Sequence, residues 1–143
     1  MRRTTKGWSF LVLIVSSALA SSASALPPRR PDAATCDLTG AWMGSATDDG
    51  GTRWSFPMQI QQTGGAVQAT IQWTGSNGHT GTERVRGTVD CTTRRLEMIT
   101  ESIASEHLVP GLYHASVSAD FASFSGHWDG PGVLPGRFTV RRR

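Results

Sequence analysis

Three separate stretches of this chain fold back on themselves in register, apolar residue against apolar and polar against polar. About a turn at Thr63 and Gly64, Ile60 falls opposite Val67, Met58 opposite Ala69, Phe56 opposite Ile71 and Trp54 opposite Trp73. Ser55, Gln59, Gln61, Gln68, Thr70 and Gln72 take the other face. About Thr92 and Thr93, Val89 meets Leu96, Gly87 meets Met98 and Val85 meets Thr100, while Arg84 faces Glu101 and Thr88 faces Glu97. Ile99, opposite Arg86, breaks the polar side. About Asp120 and Phe121, Val117 meets Phe124, Ala115 meets Gly126 and Tyr113 meets Trp128, leaving His114, Ser116, Ser125 and His127 outside. Alternation with period two on both arms means antiparallel sheet with one buried face. The 3.6-residue period of a helix is absent.

A strand over Leu38 to Thr47 before the first hairpin and another over Arg137 to Arg142 after the last bring the total to eight. Eight strands in sequence order close a small all-β, antiparallel up-and-down barrel and remove its exposed edges. A β-sandwich is the alternative, since it shows the same spacing of short strands and turns. In the barrel, one end collects the tight turns, both termini of the domain, Cys36 and Cys91. The other collects the longer connections Asp48 to Gly51, Thr74 to Gly81, Ile103 to Pro110 and Gly130 to Pro135. Cys36 and Cys91 therefore come to the same end, where a disulfide is geometrically allowed. A closed end and a loop-rich mouth are the usual layout of a ligand-binding barrel.

Residues 1–25 do not share this pattern. Arg2, Arg3 and Lys6 precede an apolar run from Phe10 to Ala20 and then Ala23-Ser24-Ala25, which reads as a signal peptide cleaved after Ala25. Cleavage removes three of the 14 basic residues and none of the 11 acidic ones, leaving 11 of each. The exported chain is thus neutral and gives no electrostatic reason to expect nucleic acid or an anionic membrane as partner. The apolar run is shorter than the roughly 20 residues of a spanning helix, so membrane insertion is not expected. Residues 26–35 form a proline-rich tail and residues 36–143 the barrel domain. Two cysteines in an exported chain allow one intramolecular pairing, and the expected location is secreted or periplasmic.

The opening Cys36-Asp37-Leu38-Thr39-Gly40-Ala41-Trp42 resembles the first strand of the avidins, and Gly40-Ala41-Trp42 resembles the G-x-W of the lipocalins. The resemblance to these calycin families implies an eight-stranded barrel with a ligand at its open end. It also implies that Trp42 packs inside the closed end beneath an arginine of the final strand, a role open to Arg137 or Arg141. Met43-Gly44 stand where avidins carry biotin-contacting polar residues, and no Trp-Leu-Leu segment follows, so the resemblance does not extend to biotin.

Trp54, Trp73, Tyr113 and Trp128 all point inward near the loop-rich end, as an aromatic collar. Such a collar either stacks on a flat or apolar small molecule or plugs a barrel too narrow to hold one. His114 and His127 oppose each other on the outer face of the third hairpin with Asp129 two residues on; Cβ atoms about 5 Å apart can share a transition metal. The plain alternative is a solvated histidine pair. Asp48, Asp49, Glu106 and His107 lie in mouth loops and could supply a general acid and base, though no catalytic motif joins them. No cofactor is expected. Two functions follow: a non-enzymatic barrel binding a small apolar or aromatic ligand at its mouth, or a module binding an exported protein. An inhibitor of an exported hydrolase, with the tail from Leu26 to Thr35 entering the target's active site, would be one form of the second.

Overall fold

The computed structural model describes residues 36–143, so the expected signal peptide and proline-rich tail lie outside the described residues. Eight strands form a closed antiparallel barrel in sequence order. They are β1 (Gly40–Asp48), β2 (Arg53–Thr63), β3 (Ala66–Gly75), β4 (Thr80–Asp90), β5 (Arg95–Ala104), β6 (Leu112–Val117), β7 (Ser123–Asp129) and β8 (Gly136–Arg142). The up-and-down barrel is as expected, and the sandwich is not formed. β1 closes the ring by pairing with β8, so no edge is left unpaired.

The alternation in the sequence sets the two faces. Phe56, Met58, Ile60, Val67, Ala69, Ile71, Val85, Val89, Leu96, Met98, Phe124, Phe138 and Val140 are buried in one core. Gln59, Gln61, Gln68, Gln72, Arg84 and Arg86 stand between them on the outer wall. An apolar interior behind a polar wall is the reverse of a transmembrane barrel. Among the described residues no helix is long and apolar enough to cross a membrane.

The third hairpin has the expected register, with Tyr113 opposite Trp128 and His114 opposite His127. The second holds from Asp90 opposite Arg95 to Val85 opposite Thr100, then shifts: Arg84 faces Ser102 rather than Glu101. One extra residue on β5 makes a bulge, which bends the strand beside the mouth. The first hairpin is displaced by two residues from expectation. Its loop is Gly64-Gly65, so Ile60 faces Ala69 and Trp54 faces Gly75. Gly64 takes a positive φ of 59° there, which glycine tolerates without a Cβ penalty. A shift of two leaves every side chain on its face, so the hydrophobic pattern alone does not separate the two registers. Pro57 has no N–H, and the β2–β3 ladder is interrupted between Ser55 and Met58.

The closed end is held by aspartates at its turns. Asp90 accepts the amides of Thr93 and Thr92, and Asp120 accepts the Ser118 hydroxyl and the Ala122 amide; these bonds keep both carboxyls below the usual range. Cys36 and Cys91 form a disulfide there, with Cα atoms 5.6 Å apart. Trp42 is fully buried and donates its indole N–H to the Leu38 carbonyl at 2.9 Å. The cation above it comes from neither Arg137 nor Arg141 but from Arg142, whose guanidinium lies 4.5 Å from the ring centroid. The reason is parity: Gly136, Phe138 and Val140 face inward on β8, so Arg142 continues the inner row while Arg137 and Arg141 face solvent. Arg142 also donates to the carbonyls of Thr39 and Asp37 at 2.9 and 2.6 Å, tying the last strand to the segment before β1.

Candidate functional site

At the opposite end the core stops short of the rim. Deep in the barrel the void between Phe56, Met58, Ile71, Met98, Phe138 and Val140 is about 10 Å³, no more than one water could occupy. Above it lies an open cavity of about 290 Å³. Trp54, Trp73, Tyr113 and Trp128 all line this cavity, so the collar expected from the sequence is assembled in one place. Trp73, Tyr113 and Trp128 are buried and form its floor, while Trp54 is half-buried at the side. The Trp73 indole meets Trp54 and Trp128 edge-to-face, with centroids 5.8 and 6.0 Å apart, and Trp128 stacks on Phe138 at 6.3 Å. The same rings that seal the barrel below thus present faces and edges to the space above.

Each polar end of the collar is fixed. Trp54 donates to Asp48 at 3.0 Å, and Trp128 donates to the Leu134 carbonyl at 2.9 Å. Trp73 and Tyr113 both donate to one oxygen of Glu83, at 2.8 and 2.7 Å, and Thr100 donates to the other. Thr100 in turn holds Gly111 through its hydroxyl, which anchors the start of β6 where β5 and β6 part company. Glu83 is the one buried charged residue among the described residues, at 2% exposure, and it lines the cavity. Its three partners are neutral donors. Burial, and then the Glu83 carboxylate facing it, push the Tyr113 phenol well above the usual tyrosine range.

Glu83 interrupts an otherwise apolar inward row, and the sequence carries a signal for it. On β4 the inward row reads Glu83, Val85, Gly87, Val89, and a carboxylate on a buried face needs a reason.

The mouth is walled by the four longer connections. The loop from Ser105 to Gly111 brings His107 and Leu108, and the one from Gly130 to Pro135 brings Val133 and Leu134. His79 and His107 stack across the rim with ring centroids 4.1 Å apart and planes 7° from parallel. Of the acid–base candidates, Asp48 and His107 line the cavity, whereas Asp49 and Glu106 are exposed and do not. Asp48 is already committed to the Thr52 amide and the Trp54 indole. The lining contains two carboxylates, two histidines and no lysine or arginine, so its permanently charged groups are negative.

His114, His127 and Asp129 do come together, on the outer wall of β6 and β7. The two rings lie 5.0 Å apart, and Nε2 of His114 is 3.6 Å from the Asp129 carboxylate. Glu97, opposite His114 on β5, accepts from His114 Nδ1.

Neither a protein-family model nor a curated protein matches the chain. Solved structures do. A redesigned β barrel, mFAP1, bound to DFHBI, is similar at TM-score 0.65 and 18% identity, over 73% of this chain and 94% of that one. EF1p2_mFAP2b bound to DFHBI gives 0.61 and 19%, over 78% and 97%. A fluorescence-activating β barrel designed de novo gives 0.56 and 12%, over 73% and 93%. At these identities the likeness establishes the barrel fold; being designed proteins, these neighbours name no natural family.

Proposed function

We propose that this chain is an exported, disulfide-stapled barrel that binds a small flat ligand, aromatic or apolar and neutral or cationic, in the cavity at its mouth. The observation that carries this reading is the cavity of about 290 Å³ with Trp73, Tyr113 and Trp128 as its floor and Glu83 buried beside them. Its volume falls just below the roughly 300 to 1,000 Å³ usual for ligand sites, with room for one or two fused rings. Aromatic edges and faces around a negative field favour a ligand whose ring stacks and whose polar group donates or carries positive charge. An anion would face Glu83 and Asp48 with no cationic side chain to meet it. The Cys36–Cys91 bridge fits an oxidising compartment, in keeping with a signal peptide over residues 1–25 ahead of the proline-rich tail and the barrel.

The first experiment is native mass spectrometry of the protein exported from its own host, compared with its denatured mass. A small-molecule adduct supports the reading and nearly identifies the ligand; a bare chain shifts it to a protein-binding module. The second compares tryptamine with indole-3-acetate by isothermal titration calorimetry. Tryptamine should bind at least about tenfold more tightly, a difference of about 1.4 kcal/mol. Equal affinities would refute the charge argument while leaving the cavity in place.

A further inference from the structure

We propose that His114, His127 and Asp129 form a zinc-class metal site on the outer wall of the barrel, held in register by Glu97. The site is independent of the mouth ligand. Three ligand atoms, one from each residue, already lie within 4.8 Å of one another. Tetrahedral zinc with ligands at about 2.0–2.2 Å places its donors about 3.3 Å apart. The His114 Nε2 to Asp129 separation of 3.6 Å is close to that, and His127 Nε2 lies 3.9 Å from the second Asp129 oxygen. All three side chains are part-exposed, so small χ rotations bring them in without moving the core.

Glu97 makes the arrangement more than a pair of surface histidines. In the neutral imidazole, a carboxylate at Nδ1 of His114 favours the tautomer with its proton there and its lone pair on Nε2, the atom facing Asp129 and His127. A carboxylate behind a histidine whose other nitrogen is turned to the ion is the usual supporting contact of a metal ligand. The ladder fixes the row: Glu97 on β5 opposes His114 on β6, which opposes His127 on β7. Arg137 comes next in that row on β8, one cation against the two carboxylates. Three protein ligands leave a fourth position open to water or another ligand. On the inner face of the same strand, between His127 and Asp129, is Trp128, part of the cavity floor. An ion outside therefore clamps the backbone on both sides of that tryptophan.

The test is zinc titration of the purified protein in competition with a chromophoric chelator, paired with cobalt substitution. One equivalent should bind, cobalt should give the intense visible bands of a four-coordinate ion, and H114A/H127A should lose at least about 100-fold in affinity. Glu97→Gln should weaken binding about 10-fold or more with the cobalt bands unchanged, because it orients a ligand without being one. Circular dichroism establishes that each variant is folded; if the double variant is not, His127→Gln, a change at an exposed position, takes its place. Absence of a tight equivalent, binding that survives loss of both histidines, or binding that instead follows His79 and His107, overturns the proposal.

Discussion

Glu83→Gln offers a direct test of the network under the cavity, because Tyr113 is the only tyrosine in the chain and its ionisation is read without ambiguity from ultraviolet absorbance. The phenol is held protonated by burial and by the carboxylate 2.7 Å away. Replacing Glu83 by the isosteric amide keeps the burial and removes the charge, so the Tyr113 midpoint should fall toward the ordinary tyrosine value. An amide oxygen in place of the atom that receives Trp73 and Tyr113 retains both bonds. The amide NH₂ then meets Thr100, whose hydroxyl turns to the Gly111 carbonyl at 3.2 Å. Two retained bonds lose charge assistance, about 1 kcal/mol each, and the relief from no longer burying a charge offsets part of that. The net cost at neutral pH is about 1 kcal/mol. Glu83→Ala instead orphans two buried donors, at about 1–3 kcal/mol each.

The sign of the pH dependence follows from the raised value in the folded state. The folded chain keeps the phenolic proton above pH about 10, where the unfolded chain loses it. The contribution is fully present below that pH and is lost as pH rises through the folded midpoint, at up to about 1.4 kcal/mol per unit. Glu83→Gln narrows this window, so denaturant midpoints of variant and wild type should converge in alkali. If Tyr113 ionises at the same high pH in Glu83→Gln, burial alone sets it and the carboxylate argument fails. If wild-type Tyr113 ionises in the ordinary range, the network is not formed in solution.

Three further outcomes test other parts of the fold. Gly136→Ala places a Cβ 2.1 Å from the Trp128 ring, so the ring must move; thermal melts should show a loss of about 1–3 kcal/mol, and calorimetry should show altered tryptamine binding. Reducing the Cys36–Cys91 bridge, which spans 55 residues, should lower stability by about 2–4 kcal/mol; an unchanged denaturant midpoint in reductant would remove it from the account. Arg142→Ala should cost about 2 kcal/mol through the Trp42 contact and the carbonyls of Thr39 and Asp37, whereas Arg141→Ala should stay within about 0.5 kcal/mol.

Much of this architecture is legible in the sequence because its hairpins are self-complementary. Val117 against Phe124 and Tyr113 against Trp128 are pairs that one register allows and its neighbour destroys. The information runs out where the physics is insensitive to what the pattern records. Thr63-Gly64 and Gly64-Gly65 centre registers two residues apart, and both bury the same side chains, so only the turn's demand for a left-handed glycine decides. The extra residue on β5 sits where Arg84, Glu101 and Ser102 are all outward and polar, so no hydrophobic mismatch marks it. Arg142 and Glu83 escape for a different reason: each is a charged residue on the inner row, and a reading that seeks apolar residues inside passes over the polar ones sharing their parity. Both turn out to organise an end of the barrel.

Glycines opposite the collar, and opposite Phe56 beneath it, explain why rings sufficient to fill the mouth leave it open. Gly44 is the direct partner of Phe56, Gly75 of Trp54 and Gly136 of Trp128. A Cβ at each would lie 2.1, 2.9 and 2.1 Å from the opposing ring, so each ring occupies the space its neighbour's side chain would take. A ring laid over the opposing strand covers backbone that glycine leaves bare and leans along the wall instead of toward the axis. Trp54 therefore becomes a wall of the cavity and Trp128 part of its floor. Trp73 also has a glycine partner, Gly81, but a Cβ there would meet Ser105 and Leu108 rather than the indole. Its ring is instead wedged between Phe56 at 4.3 Å and Trp128 at 6.0 Å, closing the centre. The room above these rings then depends on Gly75 and Gly136 as much as on the tryptophans, and a larger residue at either would turn its ring inward and convert the collar into a plug.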